Sequence, residues 1–312
     1  MLHLIPSSLK IDFIGKRKIC FAVSGFFLLA TIFLLATKGL NWGIDFSGGT
    51  LLQIKVEKSV DTADLRSALA NAEEKGFSIQ EFEAGSAEFL IRLPNKDDAE
   101  SNATAVHVVD ILTPVVGKVD VRRTEFVGPQ IGDELRSKGI IGLSLAMLAI
   151  LIYISVRFEM RYAIGAIVAL IHDVVLTVGV FSLLYKEVTM PVLAALLTII
   201  GYSLNDTIVV FDRVRENLRK NKGDMYGTLN LSVNEMLNRT LMTSFTTIVV
   251  LVALFALGGG VIHDFAFTLL FGVIVGTYSS VFVASPVVLA MEGYYQRMAE
   301  KEKETSDVGF KG

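Results

Sequence analysis

Six apolar runs, each long enough to cross a bilayer, constrain this chain more than anything else in it. They lie at about 19–38, 135–156, 163–185, 190–211, 241–259 and 265–291. A hydrocarbon core of about 30 Å needs roughly 20 residues at about 1.5 Å rise. Backbone polar groups in lipid must be satisfied within their own segment, so each run is expected to be a helix. The chain is 52% hydrophobic with a mean hydropathy of +0.54, too apolar for an ordinary soluble domain. The first run sits where a signal peptide would. Its apolar core is too long for one, and no A-x-A-like site precedes Asn41, so an uncleaved anchor is expected.

Lysine and arginine in the short connections set the orientation. Lys10, Lys16, Arg17 and Lys18 precede the first span, and Arg157 and Arg161 lie between the second and third. Arg213, Arg215, Arg219, Lys220, Lys222 and Arg239 fall in the 212–240 connection, and Arg297, Lys301, Lys303 and Lys311 in the tail. The opposite connections hold only Lys186 and nothing basic at 258–264. The positive-inside rule therefore places residues 1–18, the basic 212–240 loop and the 292–312 tail in the cytoplasm. The tail itself reads as a solvated, mobile end.

Residues 39–134 then lie outside, carrying 17 acidic against 9 basic residues. Alternating and helical patterns predict strand Thr50–Val56, helix Thr62–Glu74, strands Phe77–Glu83 and Glu88–Leu93, helix Ala99–Leu112 and strand Val119–Phe126. This βαββαβ order is that of a ferredoxin-like split βαβ domain. The fold class expected is thus an α-helical integral membrane protein with six transmembrane helices and a small α+β exported domain between the first two.

A net charge of −3 gives no reason to expect nucleic acid as a partner. The single cysteine, Cys20, excludes an intramolecular disulfide. No G-x-x-x-x-G-K-[ST] phosphate loop occurs, so energy must come from a partner or an ion gradient. No cofactor, metal or enzymatic activity is expected.

Polar residues inside the spans are the candidate site. Asp206, near the cytoplasmic end of the fourth span, costs at least about 2.5–3.5 kcal/mol in hydrocarbon, which makes it a candidate proton or ion site. Thr198, Tyr202 and Asn205 share its stripe at helical spacing. The third span carries Gly165, Ala169, His172, Asp173 and Thr177; adjacent residues point about 100° apart, so His172 and Asp173 need not form a dyad. Arg239 opens a line through Thr243, Thr246 and Thr247, either as an interfacial anchor or as a cation near Asp206. Thr268, Gly272, Gly276, Ser279 and Ser280 mark the sixth span, and small residues such as these let helices pack closely. Asp45, among Gly43, Gly48 and Gly49, reads as the organiser of a tight turn.

The stretch Gly201-YSLNDTIVVFDRVREN-Asn217 resembles the fourth-helix signature of the SecF family of bacterial protein-export subunits. Asn238-RTLMTSFTT-Thr247, Asn41-WGIDFSGGT-Thr50 and the region Gly258–Pro286, with GTYSS at 276–280, are similar to further motifs of that family, in the right order over about 16–292. The resemblance implies one half of an RND-type transporter, paired with SecD as the other half. It also implies association with the SecYEG channel and, in some bacteria, with YajC and the insertase YidC. The family's role is to use the proton gradient across the inner membrane to complete polypeptide translocation after the SecA ATPase stage. On matching positions Asp206 is the proton-path carboxylate and Arg239 its basic partner, with Asn205, Asp173 and His172 as further candidates. Two rival readings are a passive scaffold for SecD and the channel, and a proton-coupled exporter of small molecules. The second is disfavoured by a single half and about 95 exported residues.

Overall fold

The computed structural model describes residues 11–57, 60–72, 76–82, 87–94, 101–220 and 224–309. Lys10, Lys222 and Lys311, and the expected element ends at Glu74, Glu83 and Ala99, lie outside these residues.

Among the described residues six helices are long and apolar enough to cross a membrane, and they fall on the six apolar runs. The first is α1 (Arg17–Thr37), which leads to a two-residue strand β1 (Asn41–Trp42) and a single helical turn α2 (Ile44–Ser47). A small α/β unit follows as β2 (Gly49–Val56), α3 (Thr62–Asn71), β3 (Ser78–Glu81), β4 (Glu88–Leu93), α4 (Ser101–Val116) and β5 (Val119–Val127). Its four strands lie in the order β3-β4-β2-β5, all antiparallel, with a bulge between Gln53 and Ile54. That order and connectivity are ferredoxin-like, as the βαββαβ pattern predicts. Alternation explains the face: Leu52, Ile54 and Val56 of β2 and Phe89, Ile91 and Leu93 of β4 point inward, meeting Leu65, Leu69, Val108, Leu112 and Val116 of the two helices.

The remaining spans are α5 (Pro129–Arg157), α6 (Met160–Leu184), α7 (Met190–Lys220), α8 (Met225–Leu257) and α9 (Gly259–Ser279), with β6 (Glu187–Val188) between α6 and α7. A π turn at Ser280–Ala284 joins α9 to α10 (Ser285–Gly309), so the sixth span runs on as helix into the expected tail. Within the 212–240 connection, residues 212–220 and 225–240 are helical, supplied by the ends of α7 and α8, with Asp224 capping α8 through Gly227 N. Charged ends let both helices extend beyond hydrocarbon depth. Burial separates the spans: α6 and α7 are largely enclosed, whereas α1 and α5 present apolar side chains outward.

One junction ties the α/β unit to the spans. β1 pairs in parallel with β6, and Arg92 of β4 ion-pairs with Glu187 and donates to Trp42 O at 2.8 Å. Burial pushes the Glu187 carboxyl above its ordinary range, with Arg92 opposing it. Asp45 does not close its own turn as expected; its Oδ2 accepts from Met190 N at 2.8 Å, the first residue of α7. The double glycine is required here, since Gly48 and Gly49 have φ of 68° and 134°. A Cβ on Gly132 of α5 would lie 2.8 Å from Gly48 N, so the motif and α5 touch backbone to backbone.

Candidate functional site

Apolar side chains recur at three- and four-residue steps along α7 (Val192, Ala195, Leu196, Ile199, Ile200, Val210) and bury one face against the bundle. Asp206 falls on that inward face. It is 4% exposed, and its Oδ2 has no hydrogen-bond partner among the described residues. Arg239 acts on it through space and not through an ion pair or hydrogen bond.

The expected stripe is split. Asp206 turns inward, while Thr198 and Asn205 are exposed, and Tyr202 is half-buried with its hydroxyl 3.4 Å from Thr247 Oγ1 of α8. On α8, Arg239, Thr243 and Thr246 are exposed as well. Thr243 and Thr246 return their hydrogens to carbonyls of their own helix, Arg239 O and Met242 O among them. Two neighbouring helices therefore present polar groups outward at bilayer depth.

A second carboxylate sits deeper. Asp173 of α6 is fully buried and accepts from Ser203 Oγ of α7 at 2.5 Å and Ser279 Oγ of α9 at 2.7 Å, both on Oδ2. Its Oδ1 lies 2.9 Å from His172 Nδ1. The two side chains curl together despite their angular separation, so they form a dyad that helical geometry alone does not require. His172 Nε2 lies 3.2 Å from Ser24 Oγ of α1, and Ser24 Oγ lies 3.2 Å from Tyr278 Oη of α9. Tyr278 in turn donates to Cys20 O at 3.1 Å. The network thus joins four spans, and the π turn starts one residue after Ser279. Wide turns of this kind recur at functional positions in helices.

Close packing makes this meeting possible. A Cβ on Gly276 would stand 3.0 Å from Ser203 Cβ, one on Gly272 would overlap Ile199, and one on Gly179 would overlap Thr31. The structure does not bring Asp173 and Asp206 together: Ser203 serves Asp173, and no shared partner among the described residues joins the two. Ser24, Ser203 and Tyr278 are site residues that the sequence pattern does not single out. Ser24 carries the one usable signal, a hydroxyl in an otherwise apolar part of the first span. No group of three His, Cys, Asp or Glu able to hold a metal occurs among the described residues.

The chain matches the family described as protein export membrane protein SecD/SecF, C-terminal, over residues 107–293, and the SecD/SecF GG motif over 33–60. It is 52% identical over 301 residues to the protein translocase subunit SecF of Magnetococcus marinus, covering 94% of this chain and 96% of that one. To the SecF of Escherichia coli O157:H7 it is 39% identical over 298 residues, covering 93% and 92%. Among solved structures it is similar to SecDF of Thermus thermophilus, a translocon-associated membrane protein, with a TM-score of 0.84 and 35% identity. That likeness covers 93% of this chain and 40% of SecDF, so the chain spans about two fifths of that longer polypeptide. A SecDF crystal structure in a super-membrane-facing form is matched with a TM-score of 0.70. With near-complete coverage by these relatives and family matches at both 33–60 and 107–293, the chain belongs to the SecF family of multi-pass protein translocase subunits.

Proposed function

We propose that this chain pairs with SecD and uses the proton motive force to complete polypeptide translocation across the inner membrane, after the ATP-driven stage of SecA. In this reading residues 1–18, the 212–240 connection and the 292–312 tail are cytoplasmic, and 39–134 face the exported side. The pair works beside the SecYEG channel, with YajC and YidC as further associates, and the chain itself catalyses no covalent chemistry.

The observation that carries the reading is the combination of an inward Asp206 oxygen on α7, unpartnered among the described residues, with an outward polar face on α7 and α8. Asn205, Thr198, Arg239, Thr243 and Thr246 are costly against lipid tails and call for a protein partner there. SecD, the other half of the transporter, fits that need. Asp206 Oδ2, lacking a fixed donor, is free to take up and release a proton, and Arg239 moderates its charge from a distance. Asn205 lies beside it on the partner-facing side, and His172 and Asp173, a separate cluster deeper in the bundle, are further candidates for the proton path. One proton crossing about 100 mV supplies about 2.3 kcal/mol, enough to move a conformational equilibrium more than tenfold.

The test is Asp206→Asn in the assembled complex, measuring export with and without a gradient. Loss of the gradient-dependent part with intact assembly supports the reading. Full gradient-driven export by the variant overturns it, and loss of assembly would favour a scaffold.

A further inference from the structure

We propose that His172 and Asp173 together hold one shared proton, and that the hydroxyl chain from Tyr278 through Ser24 fixes it there as part of the contact between α1 and α9. As a second proton site it depends on the proton-linked reading above for its use, but not for its occupancy.

The argument is a count of hydrogens. Tyr278 has one hydroxyl hydrogen, and Cys20 O, which can only accept, takes it. The Ser24–Tyr278 bond must then use the hydrogen of Ser24. With that hydrogen spent, Ser24 Oγ can only accept from His172, so Nε2 carries a hydrogen. Nδ1 meets Asp173 Oδ1 at 2.9 Å, and that contact needs a hydrogen of its own. The pair is therefore either imidazolium with carboxylate or imidazole with carboxylic acid. In both forms it holds one proton more than a neutral histidine beside an ionised aspartate, and its net charge is zero. Ser203 and Ser279 donate to Oδ2 in either form, so they do not decide between them.

Loss of that proton to water entering the bundle leaves the pair with a single negative charge and one N–H. Kept on Nδ1, that hydrogen forces Nε2 to accept from Ser24, and the Ser24–Tyr278 link loses its hydrogen. Kept on Nε2, it sets a nitrogen lone pair against the carboxylate. One bond of the network is lost either way, and the first route loosens α1 from α9. The groups facing the pair are Cys20 and Ser24 from α1, Ser203 from α7, and Tyr278 and Ser279 from α9. Thr177, on the same helix as the pair, bonds the Asp173 carbonyl. α7 also carries Asp206, which bonds neither member, and no Lys or Arg among the described residues does so.

Nitrogen-15 spectra of histidine-labelled chain, co-purified with SecD in nanodiscs, test this, with His172→Gln assigning the signal among the four histidines. The expected result is a protonated His172 Nε2. Tyr278→Phe frees the Ser24 hydrogen and should raise the fraction with bare Nε2 by about fivefold, the worth of one net hydrogen bond. A wild-type His172 protonated on Nδ1 alone, or a Tyr278→Phe spectrum identical to wild type, would overturn the proposal. Should that variant fail to fold, the wild-type spectrum decides by itself. Asp206→Asn should leave the His172 signal unchanged, so the two proton sites succeed or fail separately.

Discussion

Two carboxylates lie inside the helix bundle, and their surroundings are opposite. Asp173 has a hydrogen-bond partner on each oxygen, whereas Asp206 has an oxygen with none among the described residues. Fixed donors on all sides stabilise one arrangement and make any departure from it costly. A buried carboxylate without donors is left to the opposition of desolvation and distant charge, so small changes nearby can tip it. The first is built like a keystone and the second like a switch, although α6 and α7 are adjacent and similarly apolar.

The largest expected effect would break this comparison on the side of function. Asp206→Asn should abolish the gradient-dependent part of export while leaving the melting temperature of the complex nearly unchanged, because no hydrogen bond is lost at Oδ2. Equal thermal damage from Asp206→Asn and Asp173→Ala would erase the contrast. Next, Asp173→Ala should destabilise the chain by about 3–5 kcal/mol, since it leaves the buried donors of Ser203 and Ser279 without their acceptor and His172 Nδ1 without its partner. Thermal unfolding in nanodiscs measures this. Asp173→Asn should recover most of the loss, because its amide oxygen still accepts from the serines and its NH2 can donate to His172 Nδ1.

A smaller effect is expected at the outer end of α7. Asp45→Ala removes the acceptor for Met190 N and should cost about 1 kcal/mol, seen as faster hydrogen exchange at the first turn of that helix. The smallest belongs to Asp12, a carboxylate in water that serves as a control for the two buried ones. Hydrogen bonds from Tyr226, Gly15 and Asn230 hold its carboxyl below the usual range. Its contribution is therefore present above the ordinary aspartate value near 3.8 and lost as pH falls through the lower folded value. Exchange at Gly15 N, which donates to Asp12 Oδ1, should rise only in strong acid.

Much of this arrangement is legible in the amino-acid sequence. Six apolar runs and a βαββαβ pattern carry periodicities of their own, so spans and sheet can be read locally. Asp206, Asp173 and His172 stand out because ionisable groups are rare in apolar segments. What escapes a local reading is which helices are neighbours. Ser24 and Tyr278 are 254 residues apart in sequence, and only the folded bundle sets them 3.2 Å apart. The stripe through Thr198, Tyr202, Asn205 and Asp206 does not stay together, because a helical line about 100° wide straddles two environments. Asp45 misleads for a related reason. Its partner Met190 lies 145 residues away, beyond the α/β unit and two spans, where turn chemistry gives no hint.

The contact of Asp45 with Met190 ties the first turn of α7 to the segment that enters the α/β unit. Sixteen residues at about 1.5 Å each put roughly 24 Å of helix between the capped end and Asp206. A helix of that length is stiff, so a twist at the carboxylate arrives at the cap with little lost on the way. Because β1–β6 and Arg92 with Glu187 clamp the α/β unit at that same end, the capped end of α7 is joined to the sheet itself and not to a slack tether.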